Sequence, residues 1–100
     1  MICHVWGMRM KPESTAEQRQ AVVDGMSCLP QEIPGIRSFS CGADLGLGGD
    51  NADVVLIAHF DDEESWRAYL AHPAHEKFAD ELVVPVYSSG AAIQFAVDGS

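Results

Sequence analysis

The sequence predicts an α+β protomer in the order strand, helix, strand, strand, helix, strand. Three observations predict it. Apolar stretches of strand length recur at residues 2–10, 53–60 and 91–97. Two stretches with helical spacing stand between them, each opened by a capping residue. Proline and glycine mark the joints, at Pro12, Pro30, Pro34-Gly35, Pro73 and Pro85.

Residues 2–10 form the first strand. Alternation puts His4, Trp6, Met8 and Met10 on one face and Cys3, Val5, Gly7 and Arg9 on the other. After a turn at Lys11-Pro12-Glu13, Ser14 and Glu17 have the spacing of a capping box. The first helix follows to Ser27 or Leu29, with Val22, Val23, Met26 and Leu29 inward, and Pro30 ends it. Gly25 inside it costs about 1 kcal/mol relative to Ala, which a close helix–sheet contact would justify.

Ile33-Pro34-Gly35-Ile36 turns the chain into a second strand over residues 37–41, and residues 42–51 are a Gly- and Asp-rich loop. Residues 53–60 are the strongest strand, apolar on both faces. Asp61 or Asp62 caps the second helix, on which Trp66, Tyr69 and Leu70 share a face. His72 precedes Pro73 and ends it. A short helix over 74–82 and a last strand over 87–97 complete the chain.

With right-handed crossovers this order gives the ferredoxin-like βαββαβ arrangement, a four-stranded antiparallel sheet with helices on one face. The alternation is read as leaving Trp6, Met8, Val54, Leu56, Ala58 and Phe60 on the other face. An apolar face of that size is expected to meet a second copy, so the reading is a homodimer.

One hundred residues suit one domain, 1–100. The net charge of −9 repels phosphate backbones and anionic bilayers, so neither nucleic acid nor membrane is an expected partner. No apolar run approaches a membrane span, and the N-terminus does not read as a signal peptide. Cys3, Cys28 and Cys41 are an odd set without CxxC spacing, which fits free thiols in a reducing, cytoplasmic setting. His72 and His75 are three apart, but no further His or Cys is spaced to complete a metal site, so none is expected.

The densest proton chemistry lies in Tyr69-Leu70-Ala71-His72-Pro73-Ala74-His75. A histidine titrates near neutral pH and can take a proton beside a carbonyl; a tyrosine hydroxyl in a dry pocket can support the developing oxyanion. The same residues also suit a purely structural corner, with Tyr69 packed by its ring and His75 holding the turn.

This Tyr-x-x-His-Pro-x-His stretch, His4 on the first strand, Ile33-Pro34-Gly35-Ile36, Gly42, Phe60 and Phe78 together resemble the stress-responsive A/B barrel (Dabb) family over nearly the whole chain. The resemblance implies a dimeric α/β barrel built from facing sheets, with a pocket in each protomer and no cofactor. It also implies a candidate site: His75 and Tyr69 as an acid/base pair, matching the pair of a plant polyketide cyclase in the family. His4 matches a pocket histidine there, and Trp6, Met8, Leu56 and Phe78 complete the candidate wall for a small apolar or carbonyl-containing ligand. The readings left open are a Dabb homodimer of unassigned role with a ligand pocket at Tyr69/His75, a cyclase-like enzyme, and, by fold analogy, a cofactor-independent monooxygenase.

Overall fold

The computed structural model describes residues 1–98. Its elements are β1 (Ile2–Met10), α1 (Ala16–Glu32), β2 (Ile36–Ala43), β3 (Val54–Phe60), α2 (Glu63–Ala71), α3 (Pro73–Phe78) and β4 (Tyr87–Ala96). A π-helical turn (Ala79–Val83) and a 3-10 turn (Val84–Val86) join α3 to β4. The sheet runs β2-β3-β1-β4, and every neighbouring pair is antiparallel. This is the expected ferredoxin-like arrangement.

The first helix starts and ends later than its sequence suggests. Ser14 and Thr15 each begin a plausible capping box, and Thr15 wins. Its side chain accepts from the Gln18 amide at 3.1 Å, and Gln18 reaches back to the Thr15 amide at 2.8 Å. Ser14 is spent on the preceding turn, where its amide donates to the Lys11 carbonyl. Pro30 does not stop the helix. It lies in the last turn, where a missing N–H forfeits a single backbone bond, and the Ile33 amide still closes onto Leu29.

The two sheet faces are the reverse of the expected assignment. Trp6, Met8, Val54, Leu56, Ala58 and Phe60 all lie on the helix side, in or against the core with Val22, Met26, Leu29 and Tyr69. The open face carries Val5, Val55, Ile57, Ile93 and Phe95 instead. Both faces of β1 and β3 are apolar, so alternation defines two faces without saying which one the helices take.

Gly25 has a packing reason, but the contact is helix against helix. A Cβ there would lie 2.6 Å from Leu82 Cδ1 and 2.9 Å from Phe78 Cδ1. Gly25→Val should therefore lose about 1–3 kcal/mol by overpacking, read as a lower denaturant midpoint. An unchanged midpoint would show that this contact is slack.

Candidate functional site

The site is assembled by the corner between α2 and α3. Asp62 caps α2, its carboxylate accepting from the Ser65 amide at 2.8 Å, and Glu63 and Glu64 meet the positive end of the helix. Tyr69 sits in the last turn and is completely buried. His72 then serves both helices. Its backbone N–H closes α2 onto the Tyr69 carbonyl, and its Nδ1 accepts from the Ala74 amide at 3.0 Å to cap α3. Pro73 follows at the first helical position, where its missing N–H costs nothing. His72 is thus a corner residue, and the hinge it makes brings His75 back against Tyr69. Their ring centroids are 4.7 Å apart, edge to face.

The corner roofs an apolar cavity of about 350 Å³. Of the expected site residues, Tyr69, His75, His4, Trp6, Leu56 and Phe78 all line it. Trp6 forms wall and leaves the space open. Met8 does not line it: one pleat further along β1, it is buried in the core and meets no part of this cavity. A larger and more open hollow of about 640 Å³ runs along the β2–β3 loop, lined by Asp44, Leu45 and Leu47. It is lined by no histidine or tyrosine, whereas His4, Tyr69 and His75 all lie at the smaller cavity.

Burial sets the proton affinities. Tyr69 is pushed up to about 12 by desolvation. Its hydroxyl is the sole buried side-chain polar atom without a hydrogen-bond partner among the described residues. His75 is held below the usual histidine range by burial, with the Glu76 charge and the Leu70 backbone pulling the other way. His4 is lowered by burial and by the proximity of His75. All three groups are therefore uncharged at neutral pH.

The lowered histidines give a stability prediction. Their folded-state affinities lie below that of the unfolded chain, near 6.5, so the unfolded state takes up protons first as pH falls. The stability they contribute is complete above about pH 6.5 and is lost as pH falls through the folded values. The melting temperature should decline below pH 6.5. In a His4→Phe/His75→Gln double variant that part of the decline should vanish; an identical profile would contradict the assignment.

Sequence reasoning missed Gln94 and undervalued Trp66. Both line the cavity, and both contact His4: Trp66 Nε1–H donates to His4 Nδ1 at 3.3 Å, and Gln94 Nε2 lies 2.9 Å from the same nitrogen. The available signal for Gln94 was a lone polar side chain in the apolar run 91–97. His59, by contrast, lies on the open face with Ser38 Oγ 2.7 Å from its Nδ1, remote from the site.

Among the described residues, no group of three or more His, Cys, Asp or Glu is placed to hold a metal ion. No helix there is long and apolar enough to cross a membrane.

Sheet, helical cover and roofed cavity define the class: a ferredoxin-like α+β protomer with an apolar cavity under its α2–α3 corner. The chain belongs to the Stress Responsive A/B Barrel Domain family, whose model matches residues 2–97. It is similar to a dimeric ferredoxin-like protein of unknown function from Thermobifida fusca, at 34% identity and a TM-score of 0.88, covering 96% of this chain and 90% of that one. It is similar in fold to a Dabb family protein from Mesorhizobium loti (22% identity, TM-score 0.77, 98% and 97% covered). The same holds for a hydroxynitrile lyase from Passiflora edulis (16% identity, TM-score 0.83, 99% and 94% covered). No curated protein matches the chain in sequence.

Proposed function

We propose that this chain is a homodimeric, cofactor-free acid–base catalyst acting on a small neutral carbonyl compound. One observation carries the reading. The Tyr69 hydroxyl is buried without a partner beside an apolar cavity that it shares with His75. An unsatisfied buried hydroxyl is costly to the fold, and a ligand oxygen is the partner that would repay it. Besides Tyr69 and His75 the walls carry the neutral polar side chains His4, Tyr87 and Gln94 among apolar ones, and contain no Lys, Arg, Asp or Glu, which suits an uncharged ligand.

The chemistry follows from the protonation states. Neutral His75 removes a proton from the carbon beside a carbonyl. The Tyr69 hydroxyl donates to the carbonyl oxygen as it becomes an enolate oxygen. In an aldol-type ring closure the enolate carbon then attacks a second carbonyl, and the proton on His75 returns to the new alkoxide. Tyr69 stays protonated throughout because burial keeps its affinity high.

The homodimer reading rests on the open sheet face and on the dimeric Thermobifida fusca structure. Ile93 and Phe95 are 59% and 46% exposed there, beside Ile57 and Val55. A charge on this face, as in Phe95→Glu, should yield monomers by light scattering at micromolar concentration; retention of the dimer would place the interface elsewhere. The family match over residues 2–97 supports one domain, and the three free cysteines suit a reducing cytoplasm.

Crystals soaked with small aryl ketones test the site. The reading requires the carbonyl oxygen within hydrogen-bond reach of Tyr69 Oη, and turnover of some such compounds. Ligand binding without turnover would leave a non-catalytic binding protein. Oxygen uptake by the same mixtures would favour a cofactor-independent monooxygenase.

A further inference from the structure

The acid–base reading uses one histidine of the cavity and leaves the other without a task. His4 is 5% exposed and stands edge-on to Tyr69, with ring centroids 5.9 Å apart. Its position on β1 places Gln94 of β4 directly opposite, and Trp66 of α2 reaches it from above. Both neighbours address the same ring nitrogen.

The tautomer follows from donor chemistry. An indole N–H can only donate, so the nitrogen that it meets must accept. His4 Nδ1 is therefore unprotonated. The Gln94 atom at 2.9 Å must then be its amide nitrogen, since an amide oxygen facing an unprotonated nitrogen would pair two acceptors. The ring hydrogen is left on Nε2. That atom makes no hydrogen bond among the described residues, and His4 lines the cavity. A protonated ring would set an N–H at Nδ1 against two donors, so the arrangement also keeps His4 neutral. Burial acts in the same direction.

We propose that His4 is a second hydrogen-bond donor of the site, fixed as its Nε2–H tautomer by Trp66 and Gln94 acting as positioning residues. The two histidines then divide the work. His75 accepts the proton, while His4 and Tyr69 together hold the developing oxyanion, as paired donors do in acyl-transfer sites. The expected ligand accordingly offers a carbonyl oxygen with both lone pairs available, and no anionic group.

This use of His4 rests on the acid–base reading, but the tautomer can be measured without any substrate. Long-range proton–nitrogen correlation spectra of the 15N-labelled protein at pH 7.5 distinguish Nε2–H, Nδ1–H and doubly protonated rings. His4 is assigned by the signals that His4→Phe removes. The expected result is a pure Nε2–H pattern. In Gln94→Glu the carboxylate accepts from Nδ1, and the ring should move to the Nδ1–H or doubly protonated form while the His59 and His72 signals stay in place. An Nδ1–H or doubly protonated ring in the unaltered protein overturns the proposal. So does an Nε2–H ring that ignores Gln94→Glu. If no carbonyl compound is ever turned over, the enzyme reading falls and the tautomer stands. A wrong tautomer removes His4 from the donor role and leaves Tyr69 and His75 as they were.

Discussion

Tyr69→Phe should make the protein more stable and less active at once. The hydroxyl is buried and unpaired, and such a group costs about 1–3 kcal/mol when desolvated without a partner. Phenylalanine keeps the ring contacts with Phe60, His4 and His75, at centroid distances of 5.2, 5.9 and 4.7 Å. Nothing else in the core has to move. Thermal unfolding should therefore shift upward in the variant. Turnover should fall by about 10²–10³, the usual cost of losing one oxyanion donor. The opposing signs separate a functional hydroxyl from a structural one. A variant that loses stability would show that the hydroxyl has a partner in the fold, and the site would become a corner motif.

His75→Gln carries the largest expected loss of activity, about 10²–10⁴, because it removes the general base. The fold should survive. His75 lies at the cavity wall, the corner is held by His72 and the backbone of α3, and the glutamine amide can take over the ring's contact with the Leu70 backbone. A large drop in melting temperature would reassign His75 to the corner. The pH profile gives a second reading. The base form of His75 is the neutral ring, and burial holds its proton affinity below the ordinary 6.5. The acid limb of activity should therefore fall below pH 6.5, with full activity retained at neutrality. Tyr69, pushed up to about 12, contributes no alkaline limb in the working range. An acid limb above pH 6.5 would point to a different base.

The parts of the fold set by local chemistry were legible in the residues. The strands themselves, a cap at Asp61 or Asp62 and the His72-Pro73 break follow from side-chain periodicity and capping, which act within a few residues. Features that depend on which surfaces meet were not. Pro30 reads as a stop, yet the helix continues because its last turn can spare a bond. Gly25 reads as a cost, and only the neighbouring Phe78 and Leu82 explain it. The two sheet faces were interchangeable in sequence because both are apolar, and only the crossover of α1 and α2 chooses between them.

The candidate site divides the same way. Tyr69 and His75 are close in sequence and joined by a corner whose chemistry is local, so their meeting could be read. The family resemblance places His4 with them, and the alternation is read as leaving Trp6 and Leu56 on the opposite face, whereas all three lie on the helix side at the cavity. Gln94 is 90 residues from His4. Its role exists only because β4 pairs with β1 in one register, which no local pattern encodes. Met8 shows the opposite error: it shares the face of Trp6 but lies one pleat too far along to reach the cavity.

Proton transfer at the carbon beside a carbonyl is the reaction expected of His75 with Tyr69. Its most direct test is deuterium exchange into small neutral ketones in D₂O, followed by NMR, for compounds shown independently to bind in the cavity. The protein should speed exchange at the carbon next to the carbonyl well above buffer, and His75→Gln and Tyr69→Phe should each abolish the acceleration while still binding the ketone. Bound ketones that exchange no faster than in buffer, or exchange equally fast with both variants, would contradict it.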